Sequence, residues 1–115
     1  MKISEISTLL GANVLCCEES LSHEVHSACG SDMMSDVLAY VKNQAVLLTG
    51  LVNPQVIRTA MMMDMRCIVF VRDKKPSDEM IELAKEADIV LLSTPLRMFD
   101  ACGILYTKGL RPNEV

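Results

Sequence analysis

The chain has 115 residues, half of them apolar, with eleven basic against fifteen acidic side chains and a formal net charge of −4. That length suits one domain, which can bury roughly two thirds of its unfolded surface without disulfides. The acidic balance, with no basic cluster beyond Arg72-Asp73-Lys74-Lys75, excludes the electrostatic footprint of a nucleic-acid binder.

In chain order, Ile3, Ile6, Leu9 and Leu10 have helical spacing, with Ser4 and Glu5 near the start and Gly11 as the natural stop. Glu5 in that first turn, with no long apolar stretch behind it, speaks against a signal peptide. No run anywhere approaches the ~20 apolar residues of a membrane-spanning helix. Residues 13–17 read as a short strand and 18–22 as a polar turn. Residues 24–29 alternate, which predicts a second strand with Val25 and Ser27 on one side and His26 and Ala28 on the other. Gly30-Ser31-Asp32 breaks it. Met33, Met34, Val37, Leu38 and Val41 then supply the apolar stripe of a second helix ending near Lys42-Asn43.

From residue 45 the pattern changes to short apolar strands alternating with helices. Residues 45–48 run into Thr49-Gly50, residues 67–71 into Arg72-Asp73, and residues 89–92 into Ser93-Thr94-Pro95. Strands that read as unbroken apolar runs are covered on both faces, as in parallel βαβ sheets. Asn53-Pro54 predicts a helix start, since Asn accepts from exposed amides and Pro is preset for the first helical position. Ser77, followed by Asp78 and Glu79, predicts another. Ser93-Thr94-Pro95 reads as the same cap-then-proline device, with Met98, Phe99, Cys102, Leu105 and Tyr106 as the inner face of the last helix. Arg111 to Val115 reads as a frayed tail. With only Tyr40, Tyr106, Phe70 and Phe99 aromatic, the core is expected to be aliphatic and filled out by the nine methionines.

The chemistry-bearing residues exclude more than they identify. Glycines at 11, 30, 50, 103 and 109 make neither a GxxxxGK[ST] loop nor a GxGxxG turn. His23, His26 and Cys29 have metal-ligand chemistry, but side chains three apart on a strand point to opposite faces, so the two histidines read as surface imidazoles. Asp32 and Asp36 at a helix start read as caps. No serine sits in a nucleophile elbow. The five cysteines, 16, 17, 29, 67 and 102, are odd in number and form no CxxC, so free thiols in a reducing cytoplasm are expected. Cys67 and Cys102 read as small buried hydrophobes. No catalytic residue, metal site or cofactor is expected.

What remains is a set of polar strand ends at helix starts: Thr49, Gly50 and Asn53; Arg72 and Lys74; Ser93 and Thr94. Parallel sheets bind ligands outside the carboxyl ends of their strands, and exposed amides at a helix start favour an anion. These residues are therefore either a small anionic ligand's site, with Asp32 nearby, or ordinary caps.

Ser31-Asp32-Met33-Met34-Ser35-Asp36-Val37-Leu38, residues 48–56 around Thr49-Gly50 and residues 92–99 around Ser93-Thr94-Pro95 resemble a stand-alone DRTGG domain, the module also found before the catalytic domain of HPr kinase/phosphorylase. Of the namesake Asp-Arg-Thr-Gly-Gly string only Thr49-Gly50 is present. The resemblance extends over nearly the whole chain. It implies a single α/β domain with a mainly parallel sheet between helix layers, a regulatory or assembly role, and a homodimer. It does not carry over kinase activity, because no part of the chain forms the phosphate loop that positions magnesium and a transferred phosphoryl group.

Overall fold

The computed structural model describes residues 1–40 and 44–112. Five helices, α1 (Ile3–Leu10), α2 (Met34–Tyr40), α3 (Pro54–Met62), α4 (Asp78–Ala87) and α5 (Met98–Thr107), surround five strands, β1 (Asn13–Cys16), β2 (Ser27–Gly30), β3 (Ala45–Thr49), β4 (Cys67–Phe70) and β5 (Val90–Ser93). The sheet order is β1-β5-β4-β3-β2. β2 to β5 are mutually parallel, and β1 closes one edge antiparallel to β5.

The three unbroken apolar runs become the sheet's centre. Every residue of β3, β4 and β5 is buried, as a sheet covered on both sides requires. Because the parallel strands follow one another in one direction across the sheet, right-handed crossovers put α2, α3 and α4 in one layer. α3 accordingly packs against both α2 and α4, while α1 and α5 pack against each other. The result is a single α/β domain of three layers.

Local signals explain most element ends. α1 stops at Gly11 in the left-handed conformation, φ 58°, whose N–H is satisfied by the last helical carbonyls. Ser77 caps α4, its hydroxyl accepting from Met80 N at 3.3 Å. Pro54 opens α3. Strand β1 is one residue shorter than expected, because Cys17 turns left-handed (φ 61°) into a short 3-10 turn, Glu18–Ser20.

Four expectations are corrected. The strand expected over 24–29 lies at Ser27–Gly30; Glu24 instead bridges Lys2, and Val25 N donates to Met1 O at 2.8 Å. Its first half is thus held by the N-terminus and its second by β3. The methionines fill only part of the core: Met65 and Met80 are buried and Met1, Met34, Met63 and Met98 pack partly buried against it, whereas Met33, Met61 and Met62 are exposed, because β-branched residues and leucines already pack the sheet. α5 begins at Met98 after Arg97 rather than at Pro95, and buries Ala101 and Leu105 while exposing Phe99 and Tyr106. That helix is apolar nearly all round, so periodicity did not select its face. Arg111 is tied down, its carbonyl accepting from Ala28 N at 3.1 Å and its guanidinium lying 4.0 Å over the Tyr106 ring. The end expected near Lys42-Asn43, the side chain of Val41 and tail residues 113–115 fall outside the described residues.

Candidate functional site

The downstream ends of β2, β3 and β4 meet at one rim, as parallel register demands. Ser31 N donates to Leu48 O (3.0 Å) and Val71 N to Thr49 O (3.0 Å), so all three exits are stapled side by side. Asp32 reaches across from the β2–α2 junction. Its Oδ1 accepts from Thr49 Oγ1 at 3.0 Å and from Gly50 N at 2.7 Å, while Thr49 Oγ1 also accepts from Leu51 N at 3.1 Å. A carboxylate holding a backbone amide and a hydroxyl fixes this corner with charge-assisted bonds.

Arg72 completes the corner from above. It and Asp73 are consecutive left-handed residues, φ 56° and 58°, a conformation costing non-glycine residues roughly 1 kcal/mol or more each. Their amides compensate by donating to Leu96 O (2.8 Å) and Thr94 O (2.9 Å), which ties the β4–α4 loop to the segment after β5. The turn lays the Arg72 guanidinium on Gly50, where a Cβ would come within 2.5 Å of it. Glycine permits this close approach, and its φ is not an unusual one. Asp32, Arg72, Thr49 and Gly50 thus stand together in space, with the acid and the arginine arriving from the strands on either side of β3.

Beside this corner lies a cleft of about 460 Å³, lined by Gly30, Ser31, Asp32, Val71, Arg72, Arg97, Met98 and Phe99. Neither the Arg72 nor the Arg97 side chain has a hydrogen bond or ion pair among the described residues. Arg97 is also the N-cap residue of α5 and supplies no side-chain cap, so the first amides of that helix have no capping group on this side. Gly30 floors the cleft beneath α5, where a Cβ would sit 2.8 Å from Cys102 Sγ. The arrangement offers positive charge, uncapped amides and an exposed ring, with Asp32 as an acceptor; it holds no nucleophile paired with a base.

The remaining expected residues are not brought to the cleft. Thr94 is fully buried, its hydroxyl donating to Leu10 O at 2.7 Å and accepting from Leu96 N at 3.3 Å. Ser93 donates to Lys74 O (3.1 Å) and accepts from Lys75 Nζ (3.1 Å), so Lys74 contributes a carbonyl there. In register with Thr49 across β4, Ser93 points away from the face on which Gly30 meets α5. Asn53 caps α3 by position without a side-chain bond, and its Oδ1 is buried without a partner among the described residues. Arg97, Met98 and Phe99 were missed, because Met98 and Phe99 read as core and Arg97 followed a turn taken for a helix start.

Two other regions have less to offer a ligand. A groove of about 390 Å³ between α1 and α5 is lined by Met1, Ser4, Glu5, Thr8, Leu9 and Lys108, but Thr8 and Glu5 there already bond within their own helix turn. Cys17 Sγ and carboxylate oxygens of Glu19 and Asp88 lie within 4.8 Å of one another; sequence spacing gave no sign of this, since Asp88 comes from the far end of α4. Burial first, then Cys16, Asp88 and Glu19, push the Cys17 thiol up to about 12, and burial likewise raises Cys29, Cys67 and Cys102. All four are held as neutral, weakly nucleophilic thiols. Cys67 is fully buried as expected, whereas Cys102 is only half-buried. His23 meets Arg66, Nδ1 to NH1 3.4 Å, not His26 or Cys29.

No helix among the described residues is long and apolar enough to cross a membrane. The regulatory region of a Clostridium perfringens pyrophosphatase, comprising CBS and DRTGG domains and solved with the activator diadenosine tetraphosphate, has the same fold with a TM-score of 0.74 at 19% identity. The match covers 90% of this chain and 45% of that one, so this chain spans less than half of that protein's solved region. No curated protein matches the chain. The DRTGG domain family matches residues 5–107, nearly the full length, and the chain belongs to it.

Proposed function

We propose that this DRTGG domain is a non-catalytic regulatory module of the cytoplasm that works as a homodimer and binds a small anionic, nucleotide-like effector at the strand ends. The observation that carries this reading is the pair of arginines, Arg72 and Arg97, whose side chains have no partner among the described residues and which line one cleft beside the uncapped start of α5. Positive charge and exposed helix amides together make an anion site. Asp32, Thr49 and Gly50 hold that rim in shape, and Arg72 rests on it. Asn53, Lys74, Ser93 and Thr94 build the fold around it and take no part in binding.

Similarity to a regulatory region solved with a nucleotide activator supports the same reading. The net charge of −4 supports a small anion rather than nucleic acid as the partner. A thermal-shift series with nucleotides, sugar phosphates and inorganic anions tests it. A ligand at a hundred times its Kd adds about 2.7 kcal/mol of stability; a flat response across the whole series overturns effector binding.

A second reading, an assembly module without a small ligand, is favoured by one observation. Met33, Leu38, Met61, Met62, Phe99 and Tyr106 are large apolar side chains left exposed on α2, α3 and α5 and the turn before α2. Light scattering separates the parts: a monomer at micromolar concentration removes the homodimer, and a dimer that answers no ligand supports the second reading over the first.

A further inference from the structure

Resting on the anion-binding reading, we propose that the effector is a nucleoside di- or polyphosphate whose base stacks on Phe99. The chain has two phenylalanines, and they are treated in opposite ways: Phe70 is fully buried in β4, whereas Phe99 is 88% exposed. An aromatic ring left this open, in the first turn of α5 and on the wall of the cleft that holds both arginines, gives a base a flat apolar surface next to the charge its phosphates need. A bare phosphate or sugar phosphate has no use for that ring.

The two guanidinium groups come from different elements, Arg72 from the exit of β4 and Arg97 from the start of α5, so each can hold a separate phosphoryl group. One phosphate leaves the second arginine unpaired; two or more satisfy both. Asp32 adds an acceptor at the same corner as Arg72. Its Oδ1 is committed to Thr49 and Gly50, but its second oxygen has no partner among the described residues. A free carboxylate oxygen repels phosphate and accepts from ribose hydroxyls or a base amino group. The cleft therefore offers a nucleotide an acceptor for its hydroxyl or amino groups as well as positive charge, and a bare symmetrical anion can use only the charge.

The test is calorimetric titration of the full chain with ADP, adenosine and pyrophosphate, repeated on Phe99→Ala, Phe99→Trp and Arg97→Gln. All three substitutions are at exposed side chains. ADP should bind at least about fivefold tighter than pyrophosphate, the lower end of what a stacked base contributes. Phe99→Ala should erase that margin while leaving pyrophosphate affinity unchanged, Phe99→Trp should keep it, and Arg97→Gln should weaken both ligands. Equal affinity for ADP and pyrophosphate, unmoved by Phe99→Ala, overturns the base platform and leaves the anion site standing. Loss of dimer in Phe99→Ala with unchanged ADP affinity assigns the ring to a second copy of the chain and also overturns it. Absence of binding by all three ligands overturns both this proposal and the reading it rests on.

Discussion

The ends of β3 and β5 look alike as sequence, each an apolar run closing on a threonine with a small polar neighbour before a helix. In the folded protein both threonines are fully buried, but their surroundings differ. Thr49 donates to Asp32, which with Arg72 lines a cleft next to it, whereas Thr94 is sealed under the last turn of α1, bonded to Leu10 O. The cause is β1. As the antiparallel edge strand beside β5, it brings the C-terminus of α1 over the exit of β5. Identical turn chemistry becomes a structural clasp or an exposed site according to what packs above it.

The largest expected effect lies away from both exits and is the response to alkali. Cys16 and Cys17 close the antiparallel β1 beside the entrance of β5, donating to Ile89 O (3.5 Å) and Ala84 O (3.8 Å). Unfolding releases the Cys17 thiol to titrate near 8.5, while in the fold it is pushed up to about 12. Its contribution is therefore complete below about pH 8.5 and is lost as pH rises towards 12. Denaturation measured from pH 7 to 11 should show stability falling across that window, and Cys17→Ala should flatten the fall; equal slopes in the two proteins would contradict the assignment.

Smaller, and aimed directly at the clasp, is Thr94→Val. It keeps the shape but leaves Leu10 O without its donor and Leu96 N without its acceptor, a loss of about 1–3 kcal/mol, read from urea midpoints. A cost below about 0.5 kcal/mol would mean that Thr94 is not a clasp. Smallest is Arg72→Gln on the open rim. With no partner to lose, it should change stability by less than about 0.5 kcal/mol while weakening the binding of anions. A larger destabilisation would show that Arg72 serves the fold and would remove the contrast between the rims.

The α/β class, the parallel centre of the sheet and the Pro54, Ser77 and Gly11 helix boundaries were legible because each rests on local chemistry: apolar runs, a preset φ, a capping hydroxyl, a left-handed stop. Thr49, Gly50, Asp32 and Arg72 were legible as candidates for the same reason, since strand ends in a parallel sheet share a rim. Phe99 and Arg97 were not. Choosing the buried face of α5 needs knowledge of where α1 lies, and a helix apolar on every side carries no such information.

Sequence by itself determined that the runs 45–48, 67–71 and 89–92 are buried strands, because only a sheet covered on both faces tolerates unbroken apolar runs. Tertiary structure alone decided which strand ends stay open, which arginines remain unpaired and which phenylalanine faces water. Those outcomes depend on contacts between residues far apart in the chain, such as Leu10 with Thr94 and Asp32 with Gly50, and no local preference encodes them.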